Sequence, residues 1–338
     1  LENDMPTSTY RKNQMFILIT VLIAIAFLVS ICVGKYPIGL TDIFTIVTGG
    51  EIDAISKNVF FTIRLPRTIM ALIAGLGLGM AGSVYQTIFK NPLASPDIIG
   101  VANGATLGAA VAIVFFGYST LIIAASAFIG GILVMVLVVA LVNSTTNINT
   151  ITYILAGIIF KALSESLIML LKLFSDPQNE LAAIEFWSMG SFSHVVVSKV
   201  VVIFPIFLTG FIGMILLRRQ IALLGLEDDE SRSLGVRVGA IRMIVLAVST
   251  LMVTSIICIT GVINFIGLIA PHIARLALKR TSFETCIFAS LVGAFIVLVA
   301  DCLARSMYST EIPISILTTF IGLPCLIYFM RSKKAGRI

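Results

Sequence analysis

Lys161, Glu165 and Lys172 stand in one apolar stretch, residues 151 to 173. At ~100° of rotation per residue their side chains leave a helix within ~40° of one another. Ionisable groups inside a membrane-crossing helix face a bundle interior or an aqueous route, so this stripe reads as pathway lining. The other reading is an i,i+4 pair of Lys161 with Glu165 and a Lys172 that reaches outward to headgroups. A second set of charges marks the ends of apolar runs. Arg64 and Arg67 open one of them, and Arg305 closes another four residues after Asp301, a spacing at which an ion pair would orient the guanidinium. Arginines so placed either anchor in headgroups or face an acidic partner.

No enzymatic constellation accompanies these charges. The chain has no HExxH or GxSxG motif, and no GxxxxGK[ST] loop to cradle a nucleotide phosphate, so ATP-driven work would need the nucleotide on another chain. Gly77, Gly79 and Gly82 match a dinucleotide fingerprint formally, but they lie inside an apolar run with no preceding strand or polar mouth. His194 and His272 are far apart, and the cysteines (Cys32, Cys258, Cys286, Cys302, Cys325) stand singly in apolar segments as small packers. The expectation is a chain that holds no metal and no cofactor.

The composition says what kind of scaffold positions the charges. Of 338 residues 58% are hydrophobic and 12% charged, with a mean hydropathy of +1.08, far from the even apolar and quarter-charged mix of soluble domains. This is an all-α, polytopic membrane protein. Apolar runs separated by polar, proline or charged breaks predict about ten spans, at 15–34, 63–85, 98–117, 120–142, 151–173, 198–217, 241–261, a short one at 264–276, 284–304 and 312–330. The first follows Arg11 and Lys12 but is long for a signal peptide and lacks a small-x-small cleavage site, so it reads as a span. The net charge of +6 sits at span ends, which speaks for orientation and not for nucleic acid. An even span count, with Arg11 and Lys12 at one end and Arg331, Lys333, Lys334 and Arg337 at the other, places both termini in the cytoplasm. No hydrophilic stretch is long enough for another folded unit, so residues 1 to 338 read as a single transmembrane domain.

Three further segments carry information. Ala71, Gly75 and Gly79 repeat every four residues and predict a helix face that a neighbouring backbone approaches closely. Asn91, Pro92, Leu93, Ala94, Ser95 and Pro96 form a loop in which two prolines block helix continuation, so the chain turns and restarts near Asp97. The polar run 143–149, with Ser144, Thr145, Thr146 and Asn147, lies at the same side. On that side also, 224–235 gathers acids at Glu227 to Glu230 and ends on Gly235, which predicts a short amphipathic helix whose apolar shoulders Leu224, Leu226 and Leu234 suit a partner's groove.

Taken together, these residues resemble the FecCD family, the permeases of ABC importers for iron–siderophore complexes, haem and vitamin B12. Arg64 to Arg67 matches its RLPR block, Asn91 to Pro96 its NPLA-x-P block and Gly100 to Ala105 its G-x-x-x-GA block. Gly261 to Arg275, Ala300 to Arg305 and Glu311 to Ile314 match later blocks in order. The resemblance implies a BtuC-like, type II importer fold, paired with an identical or related second permease subunit. Two ATPase subunits holding ATP and Mg would sit below, and an extracytoplasmic substrate-binding protein above. It implies that acidic residues of the binding protein meet Arg64, Arg67 and Arg305, and that Leu224, Gly225, Leu226, Glu227, Arg232, Leu234 and Gly235 belong to the coupling helix on the ATPase. It places the inner gate in the loops at 91–96 and 143–149. Glu227 and Ser231 replace a glycine and an alanine of the usual coupling pattern, whereas Arg232, Ser233, Leu234 and Gly235 match it. For His272 it leaves a helix-end or packing role. An iron–siderophore is the expected cargo, with haem or cobalamin in the same class; a competing reading is an ion-coupled secondary transporter with Glu165 or Asp301 as the ion site.

Overall fold

The computed structural model describes residues 5–146, 148–307 and 310–331. Helices α1 (Met5–Cys32), α2 (Leu40–Thr48) and α3 (Ala54–Asn58) come first, and α3 runs through one π-helical stretch, Val59–Arg64, into α4 (Leu65–Ile88). Pro66 stands in the first turn of α4, where its missing N–H costs nothing. A 3-10 turn, Pro96–Ile99, precedes α5 (Val101–Phe116), followed by α6 (Thr120–Asn143), α7 (Thr150–Phe174), α8 (Glu180–Ser188) and α9 (Val197–Leu216). Two short helices, α10 (Arg218–Leu224) and α11 (Asp228–Ser233), lead to α12 (Val238–Thr260), α13 (Ile266–Leu278), α14 (Phe283–Ser306) and α15 (Ile314–Arg331). No strand occurs among the described residues. Among the described residues seven helical stretches are long and apolar enough to cross a membrane, and α5, α13 and α15 are shorter apolar helices that fall where three further spans were expected.

Burial separates a centre from a rim. In the span through α4, 83% of residues are buried, against 22% in those of α1, α7 and α9, so α4 is the axis of the bundle and the others present apolar faces to lipid or to another subunit. The glycine ladder explains how α4 occupies the centre. Gly75 lies against the backbone of Gly293 and Ala294, Gly79 against Ala289 and Ser290, and Gly82 against Gly267, so that α14 and α13 approach α4 main chain to main chain. Dispersion contact of this closeness replaces the hydrophobic driving force that lipid removes. The face predicted from Ala71, Gly75 and Gly79 is therefore an interhelical seam, with Ala71 wholly buried on it.

The helix predicted over 224–235 is corrected. The chain breaks at Gly225 to Glu227, leaving α10 and α11 as separate short helices. Glu227 starts α11, with the Glu230 carboxylate accepting from its N–H at 3.4 Å, and Gly235, at φ +81°, takes the left-handed position that ends it.

Candidate functional site

At the end of the bundle that carries α2, α3 and α8, three arginines cluster, and two of them close the C-terminus of α1. A helix leaves its last carbonyls without partners, and buried ones must find donors. Arg64 Nη1 donates to the Ile31 carbonyl at 2.7 Å and also reaches that of Cys32, while its Nη2 reaches Tyr36. Arg305 donates to the Ser30 carbonyl at 3.1 Å, to Ser30 Oγ at 2.8 Å and to the Val33 carbonyl at 3.1 Å. Arg67 points the other way, its Nε donating to Asp301 Oδ1 at 2.9 Å and its Nη1 to both Glu311 oxygens at 2.8 and 2.9 Å. The spacing of Asp301 and Arg305 does produce an ion pair, Nη2 to Oδ2 at 2.9 Å. Asp301 is thus a single buried carboxylate between two guanidiniums. Arg64, Arg67 and Arg305 are 3%, 5% and 6% exposed, so the expectation of outward-facing arginines gives way to a structural cluster in which Glu311, with 29% of its side chain exposed, opens to the surface. Sequence spacing found the Asp301 pair; the contacts with α1 cross distant chain segments and left no local signal.

On the rim helix α7 the charged stripe acquires neighbours. Lys161, Glu165 and Lys172 line one cavity of about 420 Å³ together with Asp97, Asn103 and Asn264. Asn103 donates to Glu165 at 3.0 Å, Lys161 stands 3.9 Å from the same carboxylate, and Lys172 reaches Glu185 of α8 at 2.8 Å. The i,i+4 pair is therefore long and half-exposed, and Lys172 meets an acid instead of extending to headgroups. A second cavity of about 210 Å³, walled by Val253, Ile257 and Phe265, shares Asp97, Val262 and Asn264 with the first. Asp97 sits where the two meet. In the sequence Asp97 marks only the restart point of a helix, with no local signal of the cavities.

Asp97 reaches that depth through the loop before it. The Asn91 side chain accepts from the Leu93 N–H at 2.9 Å and its carbonyl from the Ala94 N–H at 3.0 Å, a compact turn that sets Pro96 at the start of the 3-10 segment. Ala94 and Pro96 are buried, Pro92 and Leu93 are exposed, and Ser95 and Pro96 line the smaller cavity. Gly100, at φ +79°, then ends the turn against the Lys161 backbone, where an added Cβ would come within 3.2 Å of the Lys161 nitrogen. The other predicted gate segment is exposed. Ser144 Oγ and Thr145 Oγ1 return to the carbonyls of Leu141 and Val142, both at 2.7 Å, closing α6, and Thr146 follows. Asn147 lies outside the described residues.

At the opposite end from the arginines, α10 is a bracket and α11 a projection. Leu224 is 1% exposed and packs inward, so it is removed from the predicted docking face, whereas Leu226 and Leu234 are 39% and 62% exposed. Gly225 and Glu227 are exposed in the break between the helices, and Arg232 pairs with Asp229 at 3.4 Å on the open side of α11. Ser231, which replaces a small apolar residue of the usual pattern, is buried and donates to the Leu223 carbonyl at 2.7 Å, fastening α11 to α10. On its inner side Asp228 accepts from Lys90 Nζ at 2.7 Å and from Arg242 Nη2 at 2.9 and 3.2 Å. Burial raises the Asp228 pKa, but those two hydrogen bonds and the charges behind them outweigh it and hold the carboxyl below the usual aspartate range. His272 stays within α13, its Nδ1 2.8 Å from the Leu268 carbonyl.

The chain as a whole has counterparts among known proteins. Residues 22–332 match the FecCD transport family. The chain is 35% identical over 322 residues to the molybdate import system permease protein MolB of Haemophilus influenzae, covering 94% of this chain and 95% of that protein. It is 33% identical over 311 residues to the ferric enterobactin transport system permease protein FepG of Escherichia coli, covering 89% and 93%. An inward-facing structure of a metal-chelate type ABC transporter superimposes with a TM-score of 0.84 at 34% identity, covering 94% of this chain and 99% of that one.

Proposed function

We propose that this chain, which belongs to the FecCD transport family and is a multi-pass permease of an ABC importer, carries an iron–siderophore complex across the cytoplasmic membrane. The observation that carries the reading is the charge-lined cavity of about 420 Å³ on α7, too small for such a cargo in one subunit and suited to be one wall of a route that a second permease copy completes. Both termini and the α10–α11 end face the cytoplasm in this reading, and the arginine end faces outward. Two ATPase subunits, holding ATP and Mg, dock on α11; a substrate-binding protein delivers the cargo at the opposite end. ATP binding draws the ATPases together, α11 carries that displacement inward, and the loops at 91–96 and 143–149 act as the inner gate. The paired charges at Lys161, Glu165 and Lys172 wet the route without giving it a strong net sign, which fits a passage that binds weakly and leaves selectivity to the delivery protein.

Docking of the binding protein takes a modified form. Because the guanidiniums of Arg64 and Arg305 are engaged with backbone carbonyls, an acidic partner reaches this cluster through Arg67, by exchange with Glu311.

The test is reconstitution with a cognate ATPase and a loaded binding protein. Uptake of ferric siderophore that requires all three components and ATP is the expected result. Uptake of molybdate in its place would reassign the cargo, and uptake by this chain alone along an ion gradient would overturn the importer reading. Within the same preparation Leu234→Asp, on the exposed face of α11, is expected to lower uptake per ATP hydrolysed by about tenfold while leaving the fold intact, an uncoupling worth the usual size of an allosteric coupling energy. Unchanged coupling would remove α11 from the ATPase interface.

A further inference from the structure

We infer that Asp228 is a positioning residue that yokes α11 to two walls of the transport route at once, so that movement of this one surface helix reaches the 91–96 loop and α12 together. The inference rests on the reading that α11 meets the ATPase and goes beyond it by naming the joint through which the displacement passes.

One carboxylate makes both connections. Lys90, 2.7 Å from Asp228 Oδ1, immediately precedes the Asn91 turn and takes a left-handed backbone, φ +50°, that directs the chain into it. That turn leads without a break to Pro96 and Asp97 in the cavity walls. Arg242, 2.9 Å from the same oxygen, belongs to α12, whose Val253 and Ile257 form another wall of the smaller cavity. Neither link is local in sequence.

The Arg242 link is stiff for an electrostatic reason. Its guanidinium is wholly buried, its Nε and Nη1 have no hydrogen-bond partner, and Asp228 is the one acid paired with it among the described residues. Drawing Asp228 away would leave a buried cation uncompensated, which is strongly unfavourable, so α11 and the first turns of α12 shift as a unit. Lys90 is partly exposed and its pair with Asp228 is the softer of the two. On its other side α11 is fastened to α10 through Ser231 Oγ and the Leu223 carbonyl, and the turn 234–237, closed by the Val236 N–H donating to the Ser231 carbonyl at 3.1 Å, leads it into α12. Removing the Asp228 charge would therefore leave α11 seated on α10 and joined to α12 by that turn alone, with its side-chain links to Lys90 and Arg242 lost.

The experiment compares Asp228→Asn, Asp228→Glu and Lys90→Gln in the reconstituted transporter, with Leu234→Asp alongside. Asp228→Asn is expected to assemble and to let ATP hydrolysis persist, while uptake per ATP falls about tenfold. Asp228→Glu keeps the charge and recovers most of that ratio. Lys90→Gln spares the Arg242 pair, folds as the parent does, and shows a smaller loss. A merely structural role would lower assembly and melting temperature and leave uptake per ATP unchanged. That result, or a Lys90→Gln protein with parental coupling should Asp228→Asn fail to assemble, would overturn the inference. If Leu234→Asp uncouples and Asp228→Asn does not, the joint is wrong and the docking face right; if neither uncouples, the docking reading itself fails and takes the joint with it.

Discussion

Asp301→Ala should destabilise the protein by about 3 to 5 kcal/mol, the range seen when one partner of a buried ion pair is removed and the other stays. Asp301 is 0% exposed and stands between Arg67 and Arg305, each 2.9 Å away, so its loss strips a counter-charge from two buried guanidiniums. Arg67 would keep Glu311, and Arg305 would keep the carbonyls at the end of α1, but neither set restores the charge lost between them. The consequence spreads along the chain: α1 is held by Arg305 at Ser30 and Val33, and the start of α4 by Arg67. Thermal melting in detergent or nanodiscs measures it, with Glu311→Gln as the comparison. Glu311 is about a third exposed, and such pairs contribute about 0 to 1 kcal/mol. Equal melting temperatures for Asp301→Ala and the parent would mean that the cluster is not held by this carboxylate. The same geometry argues against Asp301 as the site of a coupling ion, since a carboxylate fixed by two arginines has no room in its charge balance for a third cation.

Ten spans were legible because lipid demands an apolar run of nearly fixed length for each crossing, and the runs in this chain stop at prolines, glycines and charges. The α7 stripe was legible for a related reason. Helical periodicity alone places Lys161, Glu165 and Lys172 on one face, and the three line one cavity. What the sequence hid is whatever depends on two segments meeting. Arg64 was readable as a charge at the head of an apolar run, yet its partners are carbonyls more than 25 residues away, and a backbone acceptor has no signature in residue type. Leu224 reads as one apolar shoulder of a single amphipathic helix, but it ends α10, before the break at Gly225, and packs inward. Asp97 and Asp228 were visible as acids but not as hubs, because the residues that make them so, Asn264 for one and Lys90 with Arg242 for the other, come from separate chain segments that the fold brings together.

Gly82→Ala is expected to cost at least about 3 kcal/mol, the upper part of the range for overpacking, although it adds a single methyl group. The size follows from what the methyl would meet. Its position falls on the carbonyl group and Cα of Gly267, which are main-chain atoms of α13 with no rotamer to change. Relief requires α13 to move away from α4, and Gly267 and its neighbour Phe265 wall the smaller cavity, so the displacement would deform the route as well as the packing. Gly239→Ala in α12 is the matched control: its Cβ would have one neighbour, Ile148 Cγ2 at 3.7 Å, an ordinary contact, and alanine is favoured over glycine in a helix by about 1 kcal/mol. Melting temperature and the yield of monodisperse protein should therefore drop sharply for Gly82→Ala and hold or rise for Gly239→Ala. Were the two variants to melt together, the main-chain seam between α4 and α13 would not be the feature that holds the centre of the bundle, and the function of the glycine ladder would have to be sought in movement instead of packing.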